Sequence, residues 1–523
     1  MNEDYRRTRK YRMRWWTLLV LSLSLIVIGL DNTILNVAIP TIQREFDASA
    51  SELQWMVDAY VLVFAGLLLT MGALGDRFGR KLTLQAGLVI FGVSSIYAAF
   101  SGSSAELIVA RAVMGIGGAL IMPSTLSIIT DVFPREERGK AIGIWAGTAA
   151  FGIGIGPALG GWLIEQFWWG SVFLINGPVT VIALTTGLFL VPRSRDEVPP
   201  RIDPVGAALS ITTLSALVFA IIEAPSRGWL DPVVLAAFGL SVALGTIFIR
   251  QELRSDHPML NLDFFRNPRF SAGAGAITMA FFAMFGVIFI LTQYLQFVYG
   301  YSALQAGVRI SPFAIGMMLG AANSHRLVRR LGTNKVVAAG LFLLALTLAS
   351  FALWDVDTSY PVILVSIILM SFGMANTMAP STDAVMGAVP LAKAGVGSAM
   401  NDTTRMVGGA LGVAILGSIL NSIYSSGMAA AIAGLPPQAA GAAGDSAGAA
   451  LQVGGSLGGP QGEALISAAR SEFVGAMGYA FIAAAAVALI GSLLVLKFMP
   501  AGHLGTQKAG GQAPAHHDGG AGS

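Results

Sequence analysis

Long apolar runs alternate with short polar and basic segments along almost all of this 523-residue chain. A membrane-spanning helix needs about 20 mostly apolar residues. Fourteen segments of the sequence meet that requirement: 15–40, 51–74, 82–101, 105–132, 141–164, 172–191, 204–222, 232–249, 270–298, 304–322, 336–354, 362–389, 395–424 and 473–498. The pattern therefore predicts an all-α membrane protein with fourteen transmembrane helices.

The composition agrees with a chain surrounded by lipid. Hydrophobic residues make up 54% of the sequence and charged residues only 12%, whereas a soluble domain carries about 25% charge. The net charge of +3 would suggest nucleic acid in a soluble protein, but here the basic residues follow the membrane topology. No nucleic-acid partner is expected. The absence of cysteine excludes disulfides, thiolate metal sites and a cysteine nucleophile.

The basic residues also predict an orientation. With the N-terminus in the cytoplasm, 26 of the 32 Lys and Arg residues fall in inside segments. The outside segments receive Arg44, Arg227 and Arg470, and three others lie within predicted helices: Arg111, Arg309 and Arg405. Such asymmetry satisfies the positive-inside rule. Both termini are therefore expected in the cytoplasm of a bacterial cell, with the chain in its cytoplasmic membrane.

The first apolar run follows a basic N-terminus and could belong to a signal peptide. It extends to Pro40 without a small-x-small cleavage site, which favours an uncleaved first membrane helix. The segments group into five parts: a basic cytoplasmic N-terminus (1–14), a six-helix bundle (15–191), a linker with two extra transmembrane helices (192–267), a second six-helix bundle (268–499) and a disordered cytoplasmic tail (500–523). The outside loop 425–472 is rich in Ala and Gly; a short helix or a role at an exit mouth fits it less well than a plain spacer.

The loop after the second helix reads GALGDRFGRK, from Gly72 to Lys81. Glycines permit a tight turn and a close approach of helices, while an aspartate can cap or pair with a neighbouring helix end. This composite pattern is too specific for an ordinary basic loop. We therefore expect a conformational role for six of its residues: Gly72, Gly75, Asp76, Arg77, Gly79 and Arg80.

A second glycine-rich string, GIGIGPALGG, extends from Gly152 to Gly161. A dinucleotide fingerprint would need a strand–turn–helix unit in a soluble fold, whereas this string lies inside an apolar helix. Glycines there let helices pack closely, and a proline removes one backbone hydrogen bond and favours a kink. Plain packing and a pliable gate both fit. The residues concerned are Gly152, Gly156, Pro157, Gly160 and Gly161.

Charged residues inside the membrane segments carry the mechanistic hypothesis. An Asp near the centre of a membrane helix costs about 2.5–3.5 kcal/mol on insertion scales. With a rise of about 1.5 Å per residue, Asp31 lies roughly 13 Å from the outer end of its helix, and Asp58 and Arg111 roughly 10 Å from theirs. The three residues are therefore expected to share one cavity, where the carboxylates exchange protons or attract a cationic substrate. The alternative is a static buried Asp–Arg pair.

A further acidic residue lies in the thirteenth segment. Asn401 and Asp402 are candidate substrate-binding residues, but Arg405 follows three positions later and lies on the same helix face. A neutralised internal pair and a substrate site are equally compatible with that spacing.

Five motifs together resemble the major facilitator superfamily. The loop string at Gly72 resembles its loop signature, the fourth helix carries LIVARAVMGIGGALIMP from Leu107, and the string at Gly152 resembles the motif of its antiporters. The strings LDNTILNVAIP, from Leu30, and NDTTRMVGGALG, from Asn401, resemble the fourteen-helix drug–proton antiporter family, which includes quaternary-ammonium and dye efflux pumps. In the second half the loop motif reads RRLGTNK, with Arg329 in the acidic position, so that echo is weak.

The resemblance implies two six-helix bundles, two inserted linking helices and rocking alternating access. It also implies proton-coupled export of lipophilic, often cationic drugs, dyes or antibiotics by a chain that is not an enzyme, works as a monomer and needs no cofactor or metal. Its partners would be the substrate, protons and membrane lipid. One alternative is a dedicated exporter of one endogenous metabolite, antibiotic or lipid. A membrane enzyme or sensor would need a catalytic constellation or a soluble signalling domain, and neither is visible in the sequence.

Overall fold

The computed structural model describes residues 9–194, 203–255, 262–389 and 394–501. Within these ranges the chain contains helices and no strand. The N-terminal residues 1–8 and most of the C-terminal tail predicted to be disordered lie outside the described residues. The long helices are α1 (Arg14–Phe46), α2 (Ala50–Phe78), α3 (Arg80–Ala99), α4 (Ser104–Val132), α5 (Arg135–Gln166), α6 (Ser171–Leu174 and Asn176–Leu190), α7 (Pro204–Arg227), α8 (Pro232–Arg254), α9 (Pro268–Gln293, continued by a π-helical turn, Tyr294–Val298), α10 (Ala303–Ile310 and Phe313–Leu331), α11 (Thr333–Phe351), α12 (Tyr360–Gly387), α13 (Ala394–Ile432) and α14 (Gly459–Phe498).

Each predicted apolar segment lies in one of these helices, so the all-α membrane fold is confirmed. Twelve described helices are long and apolar enough to cross a membrane. The other two are α5 and α10. Helix α10 is interrupted between Ile310 and Phe313 and ends in Arg329 and Arg330, which lowers its hydropathy. Helix α5 is 32 residues long and contains the uncharged apolar stretch 141–164.

Short polar caps define where several helices begin. Ser49 and Glu52 form a capping box at the start of α2, and Asp231 caps α8. Such side chains satisfy backbone N–H groups that have no partner inside the helix. The two caps therefore fix the residues at which α2 and α8 begin.

The helices pack as two groups of six. In the first group α1 packs against α5, and α2 against α4; in the second α9 packs against α13, and α12 against α10 and α11. The pairs α2–α13 and α5–α10 join the groups. The hairpin α7–α8 lies outside them, with α7 against α2 and α13, while the most apolar part of α8 is only 11% buried.

Helix α7 is tied to α13 by a specific hydrogen bond. Pro225 lies inside α7 and has no N–H to donate to the carbonyl of Ile221. The Ser418 hydroxyl of α13 donates to that carbonyl instead, at 2.7 Å. The linking hairpin is therefore anchored to the second group as well as covering α2.

We call the side where α1 begins and α14 ends the tail side, and the opposite side, which carries residues 433–458, the loop side. Hydrogen bonds cross between the two groups at the loop side: the Gln296 amide donates to the Val37 carbonyl at 3.0 Å, and the Leu304 N–H donates to Glu165 at 3.3 Å. A Cβ on Gly161 would come within 2.4 Å of the Leu304 backbone. The two groups are therefore closed against each other on the loop side.

The loop-side segment is more ordered than a plain spacer. Helix α13 continues to Ile432 and α14 begins at Gly459, and two short helices lie between them, Pro437–Asp445 and Ala447–Leu457. Together with α1, α5, α9 and α14, the second short helix lines a loop-side cavity of about 760 Å³.

Candidate transport site

Asp31 of α1 and Arg111 of α4 form an ion pair in the interior of the first group of helices. The Arg111 Nη1 donates to the Asp31 Oδ2 at 2.5 Å, and the two side chains are 2% and 0% exposed. Arg111 also donates from Nε to the Met56 carbonyl of α2 at 3.0 Å, and its guanidinium lies 4.5 Å from the centre of the Tyr60 ring. One side chain thus connects α4 to both α1 and α2.

The energetic consequence follows from the burial of both charges. Removing one partner of a buried ion pair leaves the other charge uncompensated, which costs about 3–5 kcal/mol. The pair therefore stabilises the relative positions of α1, α2 and α4 whatever else it does. The Asp31 Oδ1 has no hydrogen-bond partner among the described residues, so one lone-pair site of the carboxylate remains open.

Asp58 of α2 is also fully buried, at 0% exposure, but it is not in the ion pair. Neither of its carboxylate oxygens has a hydrogen-bond partner among the described residues. Helical periodicity places Asp58 on the same face as Gln54, which packs against Gly417 of α13. Asp58 therefore faces the seam between the two groups, one turn deeper than Gln54.

The predicted open cavity shared by the three charged residues is absent from the described part of this conformation. Asp31, Asp58 and Arg111 are all buried. The structure brings Asp31 and Arg111 together and leaves Asp58 on another face of α2.

The second group of helices holds a different pair. Asp402 Oδ1 accepts a hydrogen bond from Arg405 Nη1 at 3.3 Å, and Arg405 Nη2 donates to the Thr382 hydroxyl at 3.2 Å. That hydroxyl in turn donates to the Asn401 amide oxygen at 3.5 Å. Asn401 and Asp402 are 4% and 6% exposed. The pair lies near the tail-side beginning of α13, away from Asp31.

The loop signature forms a turn that only glycine allows. Gly79 has a φ of 114°, a conformation that side chains disfavour. Asp76 pairs with Arg80, the first residue of the neighbouring helix α3, Nε to Oδ1 at 2.8 Å. The Arg80 N–H donates to the Ser194 carbonyl at 3.0 Å. The motif thus fixes the end of α2 to the beginning of α3 and to the end of α6.

The companion glycines of this motif lie on the helix itself. A Cβ on Gly75 would meet the Ser124 hydroxyl of α4 at 3.4 Å, and one on Gly72 would meet Pro123 at 3.5 Å. The Arg77 guanidinium lies 5.7 Å from the Phe78 ring centre. Both distances are those of ordinary van der Waals contact, so a Cβ would fit at either position.

The glycine string of α5 presents two faces to two different helices. A Cβ on Gly152, Gly156 or Gly160 would come within 3.0, 2.2 and 2.6 Å of α1 atoms. Gly161 lies against the α10 backbone, and a Cβ on Gly307 of α10 would come within 2.0 Å of the Pro157 carbonyl. The string therefore lets α5 lie close to α1 within its own group and to α10 across the seam.

The proline of this string leaves a carbonyl that another helix satisfies. Pro157 has no N–H to donate to the Ile153 carbonyl. The Thr33 hydroxyl of α1 donates to that carbonyl at 3.0 Å. Thr33 and Asp31 are two residues apart on α1, so the break in the hydrogen bonding of α5 lies at the depth of the buried ion pair but on another face of α1.

Sequence reasoning did not identify several uncharged polar residues near this seam. The side chains of Asn36, Gln54 and Gln293 are buried, and the carbonyl oxygens of Asn36 and Gln54 have no partner in the described structure. The signal was present, because amides inside membrane helices are unfavourable and therefore mark functional positions. For metals, the described residues contain no group of three or more His, Cys, Asp or Glu that could hold an ion.

These features converge with comparisons to known proteins. The pattern of the Major Facilitator Superfamily matches residues 21–413. The chain belongs to this superfamily. It is 36% identical to the "Multidrug efflux pump LfrA" of Mycolicibacterium smegmatis, covering 94% of this chain and 95% of that protein. The superfamily expected from the five motifs is thereby confirmed.

Two further relatives are similar over nearly the whole chain. The "Tetracenomycin C resistance and export protein" of Streptomyces glaucescens is 33% identical, with 92% of this chain and 91% of that protein covered. The "Methyl viologen resistance protein SmvA" of Salmonella typhimurium is 34% identical, with 91% and 96% covered. These names, which denote export or drug resistance, agree with the resemblance of the sequence motifs to drug–proton antiporters.

Among solved structures, the superfamily member resembles a bacterial homologue of the human lysosomal transporter Spinster in an inward-facing, unoccupied conformation. The TM-score is 0.66 at 20% identity, with 93% of this chain and 98% of that chain covered. At such identity the likeness supports the fold alone.

Proposed function

We propose that this chain exports lipophilic, often cationic drugs or dyes in exchange for protons. The observation that carries the proposal is Asp58, a fully buried carboxyl group beside the seam between the two groups. It has no hydrogen-bond partner within the described ranges of the chain. The names of the relatives, which are multidrug efflux and resistance proteins, support the substrate class.

The proposed orientation places the tail side in the cytoplasm of a bacterial cell. Lys and Arg residues concentrate in the tail-side segments, as the positive-inside rule requires. The loop-side closure then corresponds to an inward-facing state. The domains follow from this arrangement: bundles at 15–191 and 268–499, joined by the linker 192–267.

Asp58 is the proposed exchange site. An ionised carboxylate without a partner is unfavourable in a protein interior, so Asp58 is neutral and carries a proton in the closed state. A cationic substrate that reaches the seam from the tail side favours the ionised carboxylate, and the proton leaves to the cytoplasm. Because proton and substrate use the same group, occupation by one excludes the other and couples their movements.

Asp31 and Arg111 belong with Asp58 to the proposed proton-coupling residues, and their ion pair is the part that stays in place. Its charges balance within the bundle, and the open Oδ1 of Asp31 offers a second acceptor to a proton or a cationic substrate. Asn401 and Asp402 are the proposed substrate contacts on the tail-side half of the second bundle. There Arg405 must release Asp402 before the carboxylate can bind a cation.

The two glycine motifs serve the change between states. The α5 string lies against both α1 and α10, so a small rotation of α5 changes the seam beside Asp31. The loop motif from Gly72 to Arg80 holds α2 and α3 together as one unit during that movement. No cofactor or metal is proposed. The chain acts as a transporter rather than as an enzyme, and it acts as a monomer.

The driving force is adequate without ATP. One charge moving down 100 mV releases about 2.3 kcal/mol, and a pH gradient adds to that amount. For an uncharged substrate such a force supports a gradient of roughly fifty-fold for each proton exchanged, because about 1.4 kcal/mol corresponds to a factor of ten. Exchange of one proton for one monovalent cation moves no net charge, so the pH gradient alone drives the export of such a substrate.

The test is ethidium efflux from cells that lack their own pumps. We expect wild type to expel the dye, a protonophore to abolish efflux, and Asp58→Asn and Asp31→Asn to fail at normal membrane levels. Wild type no better than empty vector would contradict export of this dye class. A screen with single antibiotics would then separate a dedicated exporter, the activity named for the tetracenomycin relative, from a protein without export activity.

A further inference from the structure

The loop-side residues 437–457, which we call the latch segment, belong to the second bundle by chain connection and packing. The helix Pro437–Asp445 packs against α13, and Ala447–Leu457 packs against α14. The Tyr424 hydroxyl of α13 donates to the Ala443 carbonyl at 3.1 Å. The latch segment therefore moves with the second bundle.

Its middle residues contact the other bundle. The Asp445 Oδ2 accepts a hydrogen bond from the Ala50 N–H at 2.9 Å. Ala50 is the first residue of α2, whose own cap, Ser49, bonds to the N–H of Glu52. Backbone N–H groups at a helix N-terminus attract negative charge. Asp445 therefore adds an acidic acceptor from the second bundle to the beginning of a first-bundle helix.

A second contact lies one residue further along. The Gln43 Nε2 of α1 donates to the Ser446 hydroxyl at 2.6 Å, across 403 positions of sequence. Gln43 and Ser446 are 3% and 8% exposed. The same hydroxyl accepts the Ala449 N–H, so Ser446 caps its own helix while it binds α1.

The chain approaches α1 so closely here that a side chain would not fit. A Cβ on Gly448 would come within 2.2 Å of the Gln43 Oε1 and 2.9 Å of the Phe297 ring. The Gln43 amide would have to move, and its bond to Ser446 would be lost. By contrast, a Cβ on Gly455 of the same short helix would meet no atom within 4 Å.

We propose that Asp445, Ser446 and Gly448 form a latch that holds the two bundles closed on the loop side and must detach from Gln43 and Ala50 when that side opens. The proposal rests on alternating access, part of the proposed function. Each of the two hydrogen bonds joins a residue of the first bundle to a residue of the second. A rocking movement that separates the bundles on the loop side must therefore break both bonds.

Loop-side acidity should strengthen the latch. Burial raises the pKa of Asp445, and the neighbouring Glu52 of α2 adds to the effect, while the bond from Ala50 opposes it. Tyr424 of α13 faces Asp445 and Glu472 of α14, and neither carries positive charge. A group whose pKa is higher in the closed state binds protons more tightly there, so closure is favoured as pH falls through that raised pKa.

The first test uses the absence of cysteine from the chain. In Gln43→Cys/Ser446→Cys a short bis-methanethiosulfonate, which forms a disulfide with each thiol and releases sulfinate, should join the bundles and reduce dye efflux at least tenfold. Reduction of the two disulfides should restore efflux. The matched control, Tyr424→Cys/Ala443→Cys, links residues of one bundle and should leave efflux unchanged. Normal efflux by the cross-linked first pair, or failure of that pair to cross-link, would overturn the proposal.

The second test does not depend on transport and so separates the latch from the proposed function. Spin labels are placed at two exposed positions, Glu45→Cys on α1 and Ser467→Cys on α14. We expect Gly448→Ala to shift the distance distribution towards longer separations and Gly455→Ala to leave it unchanged. Identical distributions for the two variants would contradict the latch even if every variant exports dye.

Discussion

The buried acidic residues of the two bundles differ in how they are paired. In the first bundle Asp31 meets Arg111 from another helix at 2.5 Å, and the two side chains are 0% and 2% exposed. In the second, Asp402 meets Arg405 three residues along the same helix at 3.3 Å, with exposures of 9% and 22%. A pair between helices stabilises their relative position, whereas a pair within one helix can open without moving a helix.

Asp58 adds a second difference. It lies in the first bundle without a hydrogen-bond partner in the part of the chain that the structure describes, while Asp402 of the second bundle has Arg405. One bundle therefore contains both a buried charge pair and a buried carboxyl group, which we propose exchanges a proton. The other bundle contains the Asp402–Arg405 pair, whose two charges neutralise each other and which can open without the movement of a helix.

The largest expected effect comes from Asp58→Asn. The amide keeps the size of the side chain but cannot take up or release a proton, so proton-driven efflux should fall more than tenfold. Dye uptake into inverted vesicles with an imposed pH gradient measures this, because such vesicles take up what the cell exports. Asp402→Asn is the matched variant in the other bundle, and we expect it to keep a larger share of activity; equal losses would remove the proposed difference.

Next in size is the effect of Arg111→Met on stability. The substitution leaves Asp31 buried and uncompensated, so we expect a loss of about 3–5 kcal/mol, measured as a lower thermal unfolding midpoint in detergent. Adding Asp31→Asn removes the orphaned charge and should recover part of the loss. A single variant as stable as wild type would show that the pair does not stabilise the bundle.

Thr33→Val tests the hydroxyl that satisfies the carbonyl left free by Pro157. Loss of this hydrogen bond should cost about 1 kcal/mol, seen as a small decrease in the unfolding midpoint. Thr185→Val is the control, because the Thr185 hydroxyl is exposed and bonds to its own helix at the Val181 carbonyl. If both variants behave alike, the contact between α1 and α5 contributes nothing specific.

The smallest effect is expected for Arg405→Met. Its partner is on the same helix and the guanidinium is partly exposed, so the loss of stability should stay below about 1 kcal/mol. The same unfolding measurement applies. A loss as large as that of Arg111→Met would mean that the two pairs are equivalent.

Two features could be predicted from the sequence: the membrane helices, and an acidic partner for Arg111 of α4. Lipid requires long apolar helices, and a buried Arg111 requires an acidic partner. The identity of that partner depended on which helices meet, and two aspartates at similar depth fitted equally. Only the three-dimensional packing distinguishes Asp31 from Asp58.

Other contacts had no local signal. The bond between Gln43 and Ser446 joins residues 403 positions apart, and an Ala- and Gly-rich segment fits a spacer as well as a latch. Likewise, Pro157 predicted a free carbonyl, but the hydroxyl of Thr33 that satisfies it was visible only once α1 lay against α5.

The central claim is that proton and substrate compete for Asp58, and proton release on binding tests it most directly. Ethidium is added to the purified protein in weakly buffered detergent solution, and the pH change is recorded. The account predicts release of about one proton for each dye bound by wild type, because one carboxyl group exchanges its occupant, and no release by Asp58→Asn. Equal release by the two proteins would contradict the assignment of the exchange to Asp58.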